Sequence, residues 1–192
     1  MPTDRRREIV RAAIHVFARK GFHAARVGDI AEEAGVAHGL LYHYFRSKEE
    51  VLDTIFRETW TVLVEQTRGI EESGESLPEQ IRAFASSYLG SWLAAPNVVR
   101  VTIREIARSP EVNRRVDEVR ELFVCLRRMM EAAQARGELR ADASPLLVTW
   151  VLYGALEEIL TGWVLGQLPG GERDVERAVD GVVDVFTAGL AA

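Results

Sequence analysis

Gly35-Val36-Ala37-His38-Gly39-Leu40-Leu41-Tyr42-His43-Tyr44-Phe45-Arg46-Ser47-Lys48 reads as a turn, a short helix and the start of a further helix. Upstream, Val27-Gly28-Asp29-Ile30-Ala31-Glu32-Glu33-Ala34 makes a short amphipathic helix with Ile30, Ala31 and Ala34 on one side. Gly35 supplies the backbone freedom that ends it. Two short helices across a tight turn are the layout of a helix-turn-helix, whose second helix enters the major groove of DNA.

Outward from this stretch the chain reads as all-α. The first helix runs from about Asp4 to Lys20, with Ile9, Val10, Ala13, Ile14 and Phe17 as its apolar stripe and Gly21 as its stop. Ser47 with Glu50 makes a capping box for a fourth helix, which continues through Val51, Leu52, Ile55, Phe56, Trp60 and Leu63 to about Glu72. Five more helices are expected: Leu77 to Ala95, interrupted at Pro96; Val98 to Arg108; Pro110 to about Arg136; Pro145 to Gln167; and Glu172 to about Leu190. Apolar residues recur at helical spacing, and strand signals are nearly absent.

Composition bounds the rest. The 192 residues are 47% hydrophobic, enough for a sizeable core. Cys125 is the only cysteine, so no intramolecular disulfide forms, which fits a cytoplasmic protein. Arg5-Arg6-Arg7 precedes no apolar run with a cleavage site, so no signal peptide is expected. The net charge of −5 is uneven: residues 1–48 hold nine Lys/Arg and five Asp/Glu, the remainder 15 and 24, so a head of +4 precedes a body of −9. All four histidines lie in that head. A basic head on an acidic body suits contact with phosphate through the head alone.

Taken together, the nine helices and the head motifs resemble the tetracycline-repressor (TetR) family of bacterial transcription regulators. The resemblance rests on Phe17-Ala18-Arg19-Lys20-Gly21-Phe22, Asp29-Ile30-Ala31, Ala34-Gly35-Val36, Leu41-Tyr42-His43-Tyr44-Phe45 and Ser47-Lys48-Glu49-Glu50, within roughly residues 8 to 56. It implies a three-helix DNA-binding head, residues 1–48, on an effector-binding and dimerisation body, residues 49–192, with helix four bridging the two. It also implies a double-stranded operator as partner, a small hydrophobic effector, a homodimer through helices eight and nine, and no enzyme activity, cofactor or metal.

The candidate DNA-binding residues follow from position and from resemblance. His38, Gly39, Leu40 and His43 occupy the first turns of the recognition helix, where side chains meet base edges. Tyr42 and Tyr44 match tyrosines that the family uses on phosphates or bases, and Lys48 matches its phosphate-anchoring lysine at the start of helix four. Ala25, Arg26, Ala37 and Leu40 stand where hydroxyl residues are common, and Arg26 offers a longer phosphate arm in exchange. His38 and His43, five residues apart, are poorly spaced for one metal.

Phe84, Tyr88, Trp92, Phe123, Met130, Trp150, Tyr153 and Trp163 are large apolar groups, which in this family often line an effector pocket. Arg100, Arg104 and Arg108, at i, i+4 and i+8, put three guanidiniums on one face of helix six. They suit a phosphorylated carrier at a pocket mouth or, equally, a solvated face paired with Glu105 and Glu111. The run Tyr153-Gly154-Ala155-Leu156-Glu157-Glu158-Ile159-Leu160-Thr161-Gly162-Trp163-Val164 looks like the fatty-acid-degradation repressors of the FadR branch, which implies an acyl-coenzyme A effector. A drug-pump regulator with Glu157 or Glu158 as counter-charge to a cation, and a ligand-binding protein that has lost DNA binding, are the alternatives. Helix eight is apolar enough to suggest a membrane span, yet Glu157 and Glu158 at its middle would each cost roughly 2.5–3.5 kcal/mol in a bilayer. A helix buried on several sides, and no membrane, is the expectation.

Overall fold

A computed structural model describes residues 2–106 and 116–190 of the chain. Among these residues there are nine helices and no strand. They are α1 (Pro2–Lys20), α2 (Val27–Glu33), α3 (His38–Tyr44), α4 (Lys48–Glu71), α5 (Leu77–Ala94), α6 (Pro96–Ile106), α7 (Val116–Ala135), α8 (Pro145–Val164) and α9 (Glu172–Leu190). The all-α architecture expected from the sequence is therefore the one observed. Pro96 opens α6 at its first position rather than only ending α5, because a helix N1 residue needs no free N–H. The expected start of helix seven at Pro110 lies outside the described residues.

The chain divides into two compact units. The first holds α1, α2, α3, α4 as far as Thr59, and α6; the second holds the rest of α4 with α5, α7, α8 and α9. Membership of α6 in the first unit was not visible in its sequence.

In the first unit, Ile9, Ala13, Val16 and Phe17 of α1 bury completely with Ile30, Ala31, Leu41, Phe45, Val51 and Ile55. Arg6 ties α1 to α4: its guanidinium donates to Glu58 at 3.0 Å and Thr54 at 3.3 Å, and stacks 5.0 Å from the Phe45 ring. Gly21 and Gly35 follow α1 and α2 with φ of +77° and +62°, the left-handed stops that a Cβ would strain. Ser47 Oγ accepts from the Glu50 N–H at 3.2 Å, as a capping box requires. The return bond differs: the Glu50 carboxylate takes the Arg46 N–H at 2.7 Å, one residue further out.

In the second unit, α8 packs with α5, α7 and α9. Among the described residues α8 is the one helix long and apolar enough to cross a membrane, and it buries Leu152, Leu156, Leu160 and Trp163 inside this unit instead. Cys125 is buried on α7, and desolvation beside Glu71 pushes its thiol up to about 11.

Ala37 is the N-cap of α3 and has no side chain to accept the free N–H groups of that helix. Ala37→Ser is therefore expected to stabilise the protein by about 1 kcal/mol, read from denaturant unfolding followed by circular dichroism.

Candidate functional site

Only Leu41 of α3 is buried, and Phe45 seals the helix behind it. The opposite side of α3 carries exposed His38, Gly39, Leu40 (37% exposed), Tyr42 (54%) and His43. Tyr44 is half-buried, and its ring meets that of His43 edge to face at 5.3 Å. Sequence position thus selected a contiguous exposed surface, with Tyr44 at its edge.

Gly28 decides where His38 sits. A Cβ on Gly28 would lie 2.9 Å from Nε2 of His38, so the imidazole rests directly on the α2 backbone. A concavity of about 900 Å³ opens beside it, lined among others by Arg26, His38, Tyr42, Arg46 and Lys48. Exposed Arg26 is the N-cap of α2, and its N–H is held by Asp29 at 2.9 Å. Asp29 also takes Lys20 at 2.8 Å, and that bond is the larger cause holding its carboxyl below the usual range. His23 and Arg46 line the same concavity and were missed by motif reasoning; the only sequence signal was the positive charge of the segment.

Lys48 lines the same concavity and is anchored to the turn between α1 and α2. Its ammonium donates to the carbonyls of Phe22, Ala25 and His23 at 2.9, 3.0 and 3.2 Å, and lies 4.6 Å from the centre of the Phe22 ring. An ammonium has three N–H groups, and here each has a backbone acceptor.

The arginine row of α6 is placed within the first unit. Arg104 reaches the carbonyl of Ala18 at 3.4 Å, one of the last carbonyls of α1, and Arg100 donates to Asn97 at 3.0 Å. Arg108 lies outside the described residues.

In the second unit the aromatic residues form a continuous row. Phe84 and Tyr88 of α5, Tyr153 of α8, Phe123 of α7 and Trp150 of α8 follow one another with ring centroids 5.8, 5.7, 4.9 and 4.4 Å apart. Phe84 and Met130 are fully buried, while Trp150 ends the row 57% exposed. Within the row, one carboxylate oxygen of Glu157 accepts from the phenol of Tyr153 at 3.1 Å and from that of Tyr88. Burial, with Glu157 adding to it, pushes both phenols well above their ordinary range. Trp92 and Trp163 instead clasp the turn between α8 and α9: the Trp92 indole donates to the Gly170 carbonyl at 2.9 Å, and the two rings lie 6.3 Å apart.

A basic helix-turn-helix unit joined to a helical body that carries an aromatic row is the layout of a DNA-binding regulator with a ligand domain. Residues 9–55 match the bacterial regulatory proteins of the tetR family, and residues 72–182 match the tetracyclin repressor-like C-terminal domain. The chain belongs to the TetR family; it is a ligand-responsive transcriptional repressor and not an enzyme. It is 24% identical to the fatty acid metabolism regulator protein of Bacillus subtilis over 95% of this chain and 94% of that protein. It is 29% identical to the transcriptional repressor KstR2 of Rhodococcus jostii over 99% of this chain and 93% of that repressor. Among solved structures it is similar to the fatty acid degradation regulator FadR of Bacillus halodurans, with a TM-score of 0.82, 25% identity and 95% and 98% of the two chains covered. FadR of Bacillus subtilis in complex with stearoyl-CoA gives a TM-score of 0.83 at 24% identity, covering 95% and 97%.

Gly170 offers a direct test of the indole clasp. A Cβ there would lie 2.7 Å from Nε1 of Trp92 and 3.1 Å from the Trp163 ring. Gly170→Ala is expected to lower stability by about 1–3 kcal/mol, as overpacking does, and to shift the tryptophan emission of the folded protein.

Proposed function

We propose that the chain acts in the cytoplasm as a homodimer that represses transcription from a palindromic operator and is released by a long-chain acyl-coenzyme A. The observation that carries the reading is the extent of the likeness: it spans the body as well as the head in a curated regulator named for fatty acid metabolism. The row of aromatic rings through α5, α7 and α8 gives an apolar ligand matching surface. In this reading α3 reads base edges with His38, Leu40 and His43, while Arg26, Tyr42 and Arg46 meet the backbone.

Dimerisation is assigned to α8 and α9. Leu147 and Val151 of α8 and Val185 of α9 are each more than 60% exposed, and they line one apolar groove of about 360 Å³. A dimer also supplies the two heads that a palindrome needs. Val151→Glu is expected to shift the protein from dimer to monomer in sedimentation velocity and to abolish tight operator binding.

The effector must favour the state that does not bind DNA, since equal affinity for both states would shift nothing. The experiment is fluorescence anisotropy on the DNA upstream of the gene, titrated separately with long-chain acyl-CoA and with free fatty acid. Release by micromolar acyl-CoA alone is the expected result. Tight binding unmoved by both would overturn the effector and favour the second reading, a lipophilic cation. That reading draws on the Glu157 carboxylate set between Tyr88 and Tyr153.

A further inference from the structure

Gly28 is the second residue of α2, and its backbone does not call for a glycine. The left-handed glycines of this unit are Gly21 and Gly35, whereas Gly28 sits within a helix, where glycine is a weaker former than alanine. What its missing side chain provides is room. A Cβ there would lie 2.9 Å from Nε2 and 3.2 Å from Cε1 of His38, closer than ordinary van der Waals contact. A Cβ at Gly39 of α3 or at Gly69 of α4 would meet nothing within 4 Å. His38 is exposed at the first position of α3, and the far edge of its ring bears on α2.

We propose that Gly28 is a positioning residue for sequence reading: its missing Cβ seats the imidazole of His38, and residue 28 thereby sets the base preference at the operator position that His38 meets. An exposed histidine has two free side-chain torsions. A ring that bears on backbone has lost part of that freedom before DNA arrives, which lowers the ordering that a base contact demands. Phosphate contacts carry no sequence information, so a residue that acts only through His38 alters discrimination between bases and leaves the general hold on DNA alone. A methyl at residue 28 would meet the end of a mobile side chain and not main chain, so the ring yields and the fold stays. The inference rests on the family's DNA binding and on His38 as a base reader, and it is independent of the effector's identity.

The pairing of the two residues is tested by a double-mutant cycle on base preference. Full-length parent, Gly28→Ala, His38→Ala and the double variant are each passed over a randomised duplex pool, and the captured sequences are read. Anisotropy is then measured on the parent's preferred palindrome and on copies with one base pair changed in each half-site. It gives the discrimination at every position and the salt dependence of binding. Gly69→Ala is the control for a glycine-to-alanine change within a helix, and thermal melting followed by circular dichroism reports the fold.

The seat predicts that Gly28→Ala melts no lower than the parent and loses discrimination about tenfold, the scale of one base-edge contact, at one symmetric pair of positions. His38→Ala loses it at the same pair. Adding Gly28→Ala to His38→Ala changes nothing further, because no ring is left to displace. Salt slopes and the Gly69→Ala control stay as in the parent. A Gly28→Ala that keeps the parent's base preference, or that melts far below it, would overturn the proposal. So would losses at different positions or effects that simply add. A His38→Ala that weakens all sequences alike with a flatter salt slope would put His38 on phosphate and overturn it too. A parent that captures no sequence from the pool would overturn the DNA-binding reading itself, and this inference with it.

Discussion

An ammonium surrounded by three backbone carbonyls is a short-range, charge-assisted constraint, and the head of this protein is organised around one. Lys48 stands at the first turn of α4, yet its bonds go to Phe22, His23 and Ala25, which join α1 to α2. Such bonds are individually stronger than neutral ones and fix position as well as energy. The helices they join are themselves short: α2 and α3 have seven residues each, too few to be stable alone. Their order depends on the buried residues Ile30, Ala31, Leu41 and Phe45 and on the turns that lead into them. A charge in α4 and a carboxylate in α6 both bond to the turn between α1 and α2.

This arrangement also gives α6 a physical role. The helix joins the head by contact, while the chain segments on either side of it, α5 and α7, belong to the body. Within the first unit Glu105 of α6 takes the Phe22 N–H of the turn between α1 and α2.

Much of the head was legible in the sequence because its signals are local. Gly21 and Gly35 mark left-handed stops, Leu41 and Phe45 are apolar at the spacing of a buried face, and His38, Tyr42 and His43 fall on the opposite side. Partner choice was not legible. The amphipathic period of α6 announces an apolar face without saying that α1 covers it. The acceptor that Arg104 finds in the Ala18 carbonyl is main-chain and leaves no trace in sequence. The same limit applies to Lys48, whose three acceptors are all main-chain, and to Trp92 and Trp163, which clasp the glycine turn at Gly170. Glu157 and its neighbour Glu158 read alike as counter-charges; the phenols of Tyr88 and Tyr153 that accompany Glu157 come from two helices and only meet in three dimensions.

The most direct measurement is a crystal structure of the protein on its operator. The recognition helix α3 is expected to lie in the major groove with His38, Leu40 and His43 facing base edges while Arg26 contacts a phosphate. An α3 helix held clear of the groove, with His38, Leu40 and His43 touching no base, would contradict that reading.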